Sequence, residues 1–172
     1  MDIKNYLSYI EKINNSTKST KIEIDLDKPL SNQFEEVSSA LQNIDKPVLY
    51  WFECCDENDA QFMFDLYSVK RPAERASPPI NKNLSRVLYL GVRQGGKYKR
   101  DKTFSRIRGR IYHHYGLYDI ATTQGLQLNH WATNCGKKLN LIINEFDIDS
   151  IEYLYILEKL YALELKPMFG KH

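Results

Sequence analysis

Four short stretches of the chain carry apolar residues in the patterns that β-strands favour. Residues 21–26 read KIEIDL, in which three aliphatic residues alternate with polar ones. Residues 48–53, 86–93 and 139–146 are rich in β-branched, aromatic and aliphatic residues. The pattern predicts a strand at each of these four places.

Longer stretches with helical spacing separate these strands. They cover about residues 3–13, 31–43, 57–68, 104–115 and 149–165, and Gly116 and Pro167 end the last two. Residues 125–132 fit neither pattern clearly. A few strands mixed with helices predict an α+β fold, in which helices cover a small sheet.

The helix over residues 104–115 carries two polar side chains beside its apolar stripe. Phe104, Ile107 and Ile111 fall on one side, which we expect to face the sheet. Arg110 and His114 lie on the flank of that stripe, where an arginine can grip a phosphate through its planar fork of donors. The alternatives are an arginine that extends over the core edge and a histidine that is satisfied within the core.

The last helix places one carboxylate, that of Glu158, within an apolar stripe. The stripe comprises Ile151, Leu154, Tyr155, Tyr161, Ala162 and Leu165. A carboxylate in such a setting is costly unless it is paired or holds a cation, so Glu158 is a candidate metal ligand. The alternative is a buried pair with an arginine. A second apolar side, made by Ile156, Leu160 and Leu163, suggests that the helix is covered on two faces.

Charge changes this picture in one segment. The whole chain of 172 residues has a net charge of only +2. Between residues 93 and 110, however, eight basic residues stand against Asp101 alone, and they are Arg93, Lys97, Lys99, Arg100, Lys102, Arg106, Arg108 and Arg110. This local excess suits a polyanion, although such runs are often only solvated surface.

Composition otherwise indicates an ordinary globular protein, with 42% hydrophobic and 27% charged residues. No apolar stretch is long enough to span a bilayer, and the N-terminus has no apolar region typical of an export signal. Cys54, Cys55 and Cys135 lack the spacing of a disulfide framework or a metal site. We therefore expect structural thiols and a cytoplasmic protein.

Two of the predicted strands each carry a short apolar motif that contains one tyrosine. One reads Val48-Leu49-Tyr50, and the other contains Tyr89-Leu90-Gly91. Together with Arg110, His114 four residues later, and Glu158 nine residues before Pro167, they resemble the ordered motifs of the GIY-YIG nuclease family. The resemblance covers residues 45–172 and implies a three-stranded, mostly antiparallel sheet flanked by helices. Residues 1–44 would then form an N-terminal extension with its own helix and strand.

The resemblance implies an endonuclease that cuts phosphodiester bonds in nucleic acid, with double-stranded DNA as the expected partner. Glu158 would hold one Mg²⁺ or Mn²⁺, and Arg110 would stabilise charge on the phosphate. Tyr50 is the first choice to activate water if Arg110 and the metal lower its pKa, with His114 as the competing base. Tyr89 would orient the phosphate or the nucleophile. Gly91 implies a close approach within the site.

The basic segment would then supply contacts to the nucleic-acid backbone, which position a substrate without reading its bases. The residues concerned are Lys97, Lys99, Arg100, Lys102 and Arg106.

Three departures from the family pattern keep other interpretations open. The first motif retains only its tyrosine, residues 54–85 resemble an insertion, and Gly170 stands where the family commonly has asparagine. One alternative is a catalytically degenerate GIY-YIG domain that binds nucleic acid or protein. The other is an unrelated α+β interaction module in which the tyrosines and Glu158 serve only the core.

Overall fold

The computed structural model describes residues 7–8, 10–11, 18–99, 102, 104–118, 124–148 and 151–171. Most of the helix predicted over residues 3–13 lies outside these ranges, although residues 7–8 and 10–11 are helical. The strands are β1 (Lys18–Asp25), β2 (Val48–Cys54), β3 (Val87–Arg93) and β4 (Lys138–Glu145). The helices are α1 (Leu30–Gln42), α2 (Glu57–Lys70), α3 (Arg106–Tyr115) and α4 (Ile151–Leu165), and Leu128–His130 forms a short 3-10 helix.

The α+β class is confirmed, but the sheet has four strands where the resemblance implied three. Its order is β1-β4-β2-β3, and every pairing is antiparallel. The fourth strand is β1, which pairs with β4 along its whole length, from Lys18 opposite Glu145 to Asp25 opposite Lys138. Ile24 and Leu26 are fully buried in the main core. The N-terminal strand therefore supplies one edge of the sheet, because it covers backbone groups of β4 that would otherwise be unpaired.

The two faces of the sheet carry different helices because side chains alternate along each strand. Tyr50 and Phe52 point to the face that α1, α2 and α3 cover. Leu49 and Leu90 point to the opposite face, where they pack with Leu154 and Leu157 of α4. We refer to these as the three-helix face and the single-helix face.

The stretch that resembles an insertion, residues 54–85, packs closely on the three-helix face. It contains α2, whose Met63 and Tyr67 are fully buried. The Tyr67 hydroxyl donates a hydrogen bond to the Pro78 carbonyl at 2.7 Å. Its ring lies 4.1 Å from that of Phe169, between centroids. These contacts join the stretch to the C-terminal residues.

The predicted packing of α4 is wrong in two respects. Tyr155, which we expected in the apolar stripe, is 54% exposed, and the buried centre of the helix is Leu154 and Leu157. The second apolar side is covered only in part by the described residues, because Ile156 packs against the core but Leu160 is 49% and Leu163 is 75% exposed. The helix is rotated so that Leu157 faces the sheet, and this moves Glu158 from the middle of the stripe to its border.

Candidate functional site

Tyr50 and Tyr89 lie side by side on the three-helix face. In the β2–β3 register Tyr50 is opposite Gly91, and Tyr89 lies two residues before Gly91 on the same strand. Residues two apart in a strand point to the same face, so both phenols project together. Their ring centroids are 6.4 Å apart.

Helix α3 places Arg110 over these two rings. The helix begins after Ser105, whose side chain accepts a hydrogen bond from the Arg108 amide, and ends at Gly116 in the left-handed conformation. Ile107 and Ile111 are buried against the core, as the sequence predicts. Arg110 therefore lies on the side of α3 that meets the end of the sheet.

The guanidinium of Arg110 connects the site through hydrogen bonds. Its Nε donates to the Tyr50 hydroxyl oxygen at 2.9 Å, and its Nη2 donates to the Tyr89 hydroxyl oxygen at 2.9 Å. Its Nη1 donates to the main-chain carbonyl of Gln124. An arginine has five N–H groups, so two remain after these three bonds, one on each terminal nitrogen.

Arg110 is a largely enclosed cation that lacks an acidic partner. Within the described residues, no carboxylate lies at ion-pair distance from its guanidinium. Burial opposes its charge, but the oxygens of Tyr50 and Tyr89 outweigh this effect, and the pKa of Arg110 is raised. Its positive charge is therefore held in place and is available to an anion.

His114 is fully buried, deeper than the half-buried flank that the sequence predicts. The Leu126 amide donates to its Nδ1 at 3.1 Å, and its Nε2 lies 3.0 Å from the Tyr50 hydroxyl. Burial, Arg110 and His113 together lower the pKa of His114 well below 6.5, so the ring is neutral at neutral pH. Since Nδ1 accepts a bond, the single ring proton is on Nε2 and is donated to Tyr50.

The Tyr50 oxygen therefore accepts bonds from both Arg110 and His114. These donors favour a phenolate, but the side chain is fully buried. Burial raises the pKa of Tyr50, and the opposing charge of Arg110 is smaller. Desolvation thus outweighs the guanidinium in the protein by itself, and the lowering of the pKa by Arg110 together with a metal stays a prediction.

Gly91 is where the two tyrosines come closest to the backbone. A Cβ atom at this position would lie 2.8 Å from the Tyr50 hydroxyl oxygen and 3.0 Å from Cε1 of Tyr89. The first contact is shorter than real Cβ atoms show, and the second is tighter than most. The absence of a side chain at Gly91 therefore gives the Tyr50 hydroxyl the space in which it meets Arg110.

Glu158 projects from the border of α4 and is half-buried. Burial raises its pKa above the ordinary 4.5, while the charges of Lys159 and Arg110 act in the opposite direction. Arg110 and Glu158 are thus close enough to interact electrostatically. Within the described residues, the carboxylate forms neither a hydrogen bond nor an ion pair. The alternative of a structural Glu–Arg pair therefore has no support in the described part of the chain.

Glu158 is the acidic residue at this site that could hold a cation. Across the described ranges, no group of three or more histidine, cysteine, aspartate or glutamate residues could bind a metal ion. A single half-buried carboxylate without a protein partner suits a cation such as Mg²⁺, which keeps most of its waters.

The predicted backbone-binding residues follow β3 in the chain and precede α3, apart from Arg106, which is the first residue of α3. Lys97, Lys99 and Lys102 are exposed, and Arg106 is half-buried. Arg100 lies outside the described residues. Arg106 Nη1 donates to the Gln94 side chain at 2.5 Å.

Arg93, which the sequence analysis counted in the basic segment but did not assign to the site, lies close to the cluster. Its charge acts on Tyr50, and it lines a pocket of about 340 Å³ with Tyr98, Lys99 and Arg106. A groove of about 800 Å³ lies elsewhere, between α1 and α3. Only the folded chain brings either set of residues together.

The C-terminal residues run beside β3. The amides of Met168 and Phe169 donate to the carbonyls of Val87 and Leu88 at 2.9 and 2.8 Å. Gly170 follows with φ at 122°, a conformation that glycine adopts without strain and asparagine does not favour. Glycine therefore suits this backbone position better than asparagine would.

No protein-family model matches this chain, and the searches of curated proteins and of solved structures also return no match. Within the described residues, no helix combines the length and the apolar character needed to cross a membrane. Cys54, Cys55 and Cys135 are all unpaired.

Proposed function

We propose that this protein is a metal-dependent endonuclease that hydrolyses phosphodiester bonds in nucleic acid, with DNA as the expected substrate. The observation that carries the proposal is the state of Arg110. Its charge is held by two phenols and a carbonyl, and it has no carboxylate partner among the described residues. A cation kept in this way is expected to bind an anion, because removal from water without a counter-charge is costly.

A phosphate suits the remaining donors of Arg110. The guanidinium presents two further N–H groups, and a phosphodiester has two non-bridging oxygens that can accept them. As water attacks, negative charge grows on these oxygens, and a fixed guanidinium stabilises it without reorganisation. The surroundings of this cluster are also positively charged, since the charge of Arg93 acts on both Tyr50 and His113.

Glu158 is the residue that would hold one Mg²⁺ or Mn²⁺. When bound, such a cation supplies charge stabilisation for the leaving oxygen. The carboxylate is half-buried and has no hydrogen-bond or ion-pair partner among the described residues, as this role needs, and a cation would offset the effect of burial on its pKa.

In the proposed reaction, the oxygen of a water molecule forms a bond to phosphorus and the bond from phosphorus to the leaving oxygen breaks. The accepting tyrosine first loses its own proton to solvent, which the charge of Arg110 favours, and one proton of the attacking water then passes to the phenolate. The leaving oxygen takes a proton from solvent. Hydrogen bonds favour Tyr50 as the acceptor, because Arg110 and His114 both donate to its oxygen. Exposure favours Tyr89, because Tyr50 is fully buried and Tyr89 is 9% exposed.

We assign His114 a positioning role in place of the competing role of base. Both ring nitrogens are engaged, one with the Leu126 amide and one with Tyr50. A proton added to Nδ1 would break the bond to Leu126 within a buried site. His114 therefore orients the Tyr50 hydroxyl.

The order and geometry of these residues support membership of the GIY-YIG family. In support, the two tyrosines occupy neighbouring antiparallel strands, and the arginine lies on the following helix. The unpaired cysteines suit work in a reducing cytoplasm.

Plasmid nicking tests the proposal. We expect the wild-type protein to nick supercoiled DNA in Mg²⁺ or Mn²⁺, and we expect EDTA to abolish this nicking. The nicking rates of Arg110→Ala and Glu158→Ala should be lower by at least about 100-fold. Glu152→Ala, an exposed acid on the same helix, is the matched control. Comparison of Tyr50→Phe with Tyr89→Phe identifies the proton acceptor, because the variant that lacks the accepting hydroxyl should lose more of the nicking rate. Full turnover in the folded Arg110 and Glu158 variants would refute the assignment.

A second candidate is a domain of the same fold that binds nucleic acid without cutting it. Specific observations favour it: Tyr50 is fully buried with a raised pKa, and Gly170 replaces the family's asparagine. In that case binding would weaken steeply with salt while no nicking is detected under any metal condition.

A further inference from the structure

The groove between α1 and α3 is walled by a continuous series of aromatic rings. Ring centroids are 6.3 Å apart for Tyr98 and Phe104, 6.5 Å for Phe104 and Tyr112, and 6.0 Å for Tyr112 and Tyr118. His113 extends the series, with its ring 4.4 Å from that of Tyr118. All five side chains line the groove of about 800 Å³, which is large enough for a nucleobase with its sugar.

A second, smaller pocket adjoins this groove. Arg93, Lys99 and Arg106 line its volume of about 340 Å³ together with Tyr98. Among the described residues its lining holds three cations and no acid, which suits a phosphate. The groove is different, because its acidic residue, Glu35, is accompanied by a single cation, Arg108, whose guanidinium lies 4.1 Å from the centre of the Phe104 ring. The positive charge is thus concentrated in the smaller pocket, whereas the groove is mainly aromatic.

Tyr98 is the wall that the two cavities share. Its ring lies against α3 at Gly109, where a Cβ atom would come within 2.8 Å of the Tyr98 ring and hydroxyl. Arg93 Nη2 donates to the Tyr98 hydroxyl at 3.2 Å. Glycine at position 109 therefore lets a tyrosine stand between the cations on one side and the aromatic rings on the other.

The cationic pocket also connects to the cluster around Arg110. The charge of Arg93 acts on Tyr50 and on His113, so Arg93 is close to the phenols, to the pocket and to the groove. A nucleic-acid strand could therefore follow these cations from the site of hydrolysis towards the aromatic rings.

We propose that the protein binds an unpaired nucleotide next to the hydrolysed bond, with the base stacked in the aromatic groove and a neighbouring phosphate in the pocket formed by Arg93, Lys99 and Arg106. This inference rests on the proposed function, because it assumes that the substrate is nucleic acid. A base inside a duplex cannot enter a groove walled by rings, so the substrate carries a single-stranded or flipped-out nucleotide.

Fluorescence anisotropy in EDTA tests the subsite without any hydrolysis. The probes are a labelled thymidine oligomer of about twelve nucleotides and an abasic oligomer with the same phosphates. We expect wild-type protein to bind the thymidine oligomer roughly tenfold more tightly. Tyr118→Leu, which removes a ring that is 39% exposed, should lose most of that preference. Tyr118→Phe should keep it, and Tyr155→Leu, which removes an exposed tyrosine of α4, should leave it unchanged.

The cationic pocket has its own expected result. Lys99→Gln and Arg106→Gln should weaken both oligomers by a similar factor and make the loss of affinity with salt less steep, since phosphate contacts do not read bases. Equal binding of the two oligomers by wild-type protein, or an unchanged preference in Tyr118→Leu, would overturn the proposal. Because nothing is cut in EDTA, a protein that fails the nicking assay can still pass this test, and an active nuclease can still fail it.

Discussion

The two faces of the sheet hold their polar groups in different ways. On the three-helix face, Arg110, Tyr50, Tyr89 and His114 are tied together by hydrogen bonds of 2.9 to 3.0 Å. On the single-helix face, α4 is held by aliphatic packing around Leu154 and Leu157, and Glu158 at its border has no such bonds among the described residues. The hydrogen-bonded residues of the candidate site are therefore part of the core, whereas Glu158 lies beside the core.

This difference separates residues that serve both fold and function from those that serve function alone. A substitution in the hydrogen-bonded cluster leaves buried oxygen atoms without donors, and such atoms are costly. A substitution of Glu158 removes a carboxylate whose burial raises its pKa, so its charge is a burden on folding at neutral pH.

The largest effect on stability is expected at Gly91. Gly91→Val would force side-chain atoms into the space of the Tyr50 hydroxyl and the Tyr89 ring. Overpacking of this kind costs about 1–3 kcal/mol in the free energy of unfolding, which urea denaturation would measure. We also expect the loss of nicking, because Tyr50 can no longer meet Arg110.

The Tyr50→Phe background provides the control for this prediction. Removal of the hydroxyl eliminates the 2.8 Å contact, so Gly91→Ala should cost less in that background than in the wild-type protein. Equal costs in the two backgrounds would mean that the hydroxyl does not set the space at Gly91.

A difference of at most that size is expected between Arg110→Met and Glu158→Gln. Arg110→Met should lower the free energy of unfolding by about 1–3 kcal/mol, because the oxygens of Tyr50, Tyr89 and Gln124 each lose a donor. Glu158→Gln should change it by less than about 0.5 kcal/mol while still removing nicking. The comparison fails if Glu158→Gln destabilises the protein as much as Arg110→Met.

The smallest effect is on the pH dependence of stability, to which His114 on the three-helix face and Glu158 on the single-helix face contribute with opposite sign. The pKa of His114 is lowered, so the unfolded chain takes up its proton first, and this contribution to stability is lost as the pH falls below 6.5. The slope is at most about 1.4 kcal/mol per pH unit. The pKa of Glu158 is raised, so its contribution is present below about 4.5 and is lost as the pH rises through its folded value.

Denaturation at a series of pH values between about 4 and 7 would separate these contributions. His114→Gln should flatten the fall in stability below pH 6.5. The free energy of unfolding of Glu158→Gln should increase relative to that of the wild-type protein as the pH rises above 4.5. A wild-type curve that His114→Gln leaves unchanged would show that His114 is not buried in its neutral form.

Local patterns were sufficient for most of the secondary structure. The strands at residues 48–53 and 139–146 and the helices at residues 31–43 and 104–115 lie within two residues of the observed elements. The spacing of Ile107, Ile111 and Arg110 on α3 also follows from helical geometry alone. These features succeed because periodicity and caps depend on neighbours in the chain.

The sequence by itself determined that the chain forms an α+β fold and that Tyr50, Tyr89, Arg110 and Glu158 are the residues to examine. Only the tertiary structure decided that β1 joins the sheet, that burial raises the pKa of Tyr50, and that Glu158 lies at the border of α4. It also placed Tyr98 between two cavities and Arg93 in the smaller of them. Strand partners and desolvation depend on segments distant in sequence, and a local pattern carries no information about them.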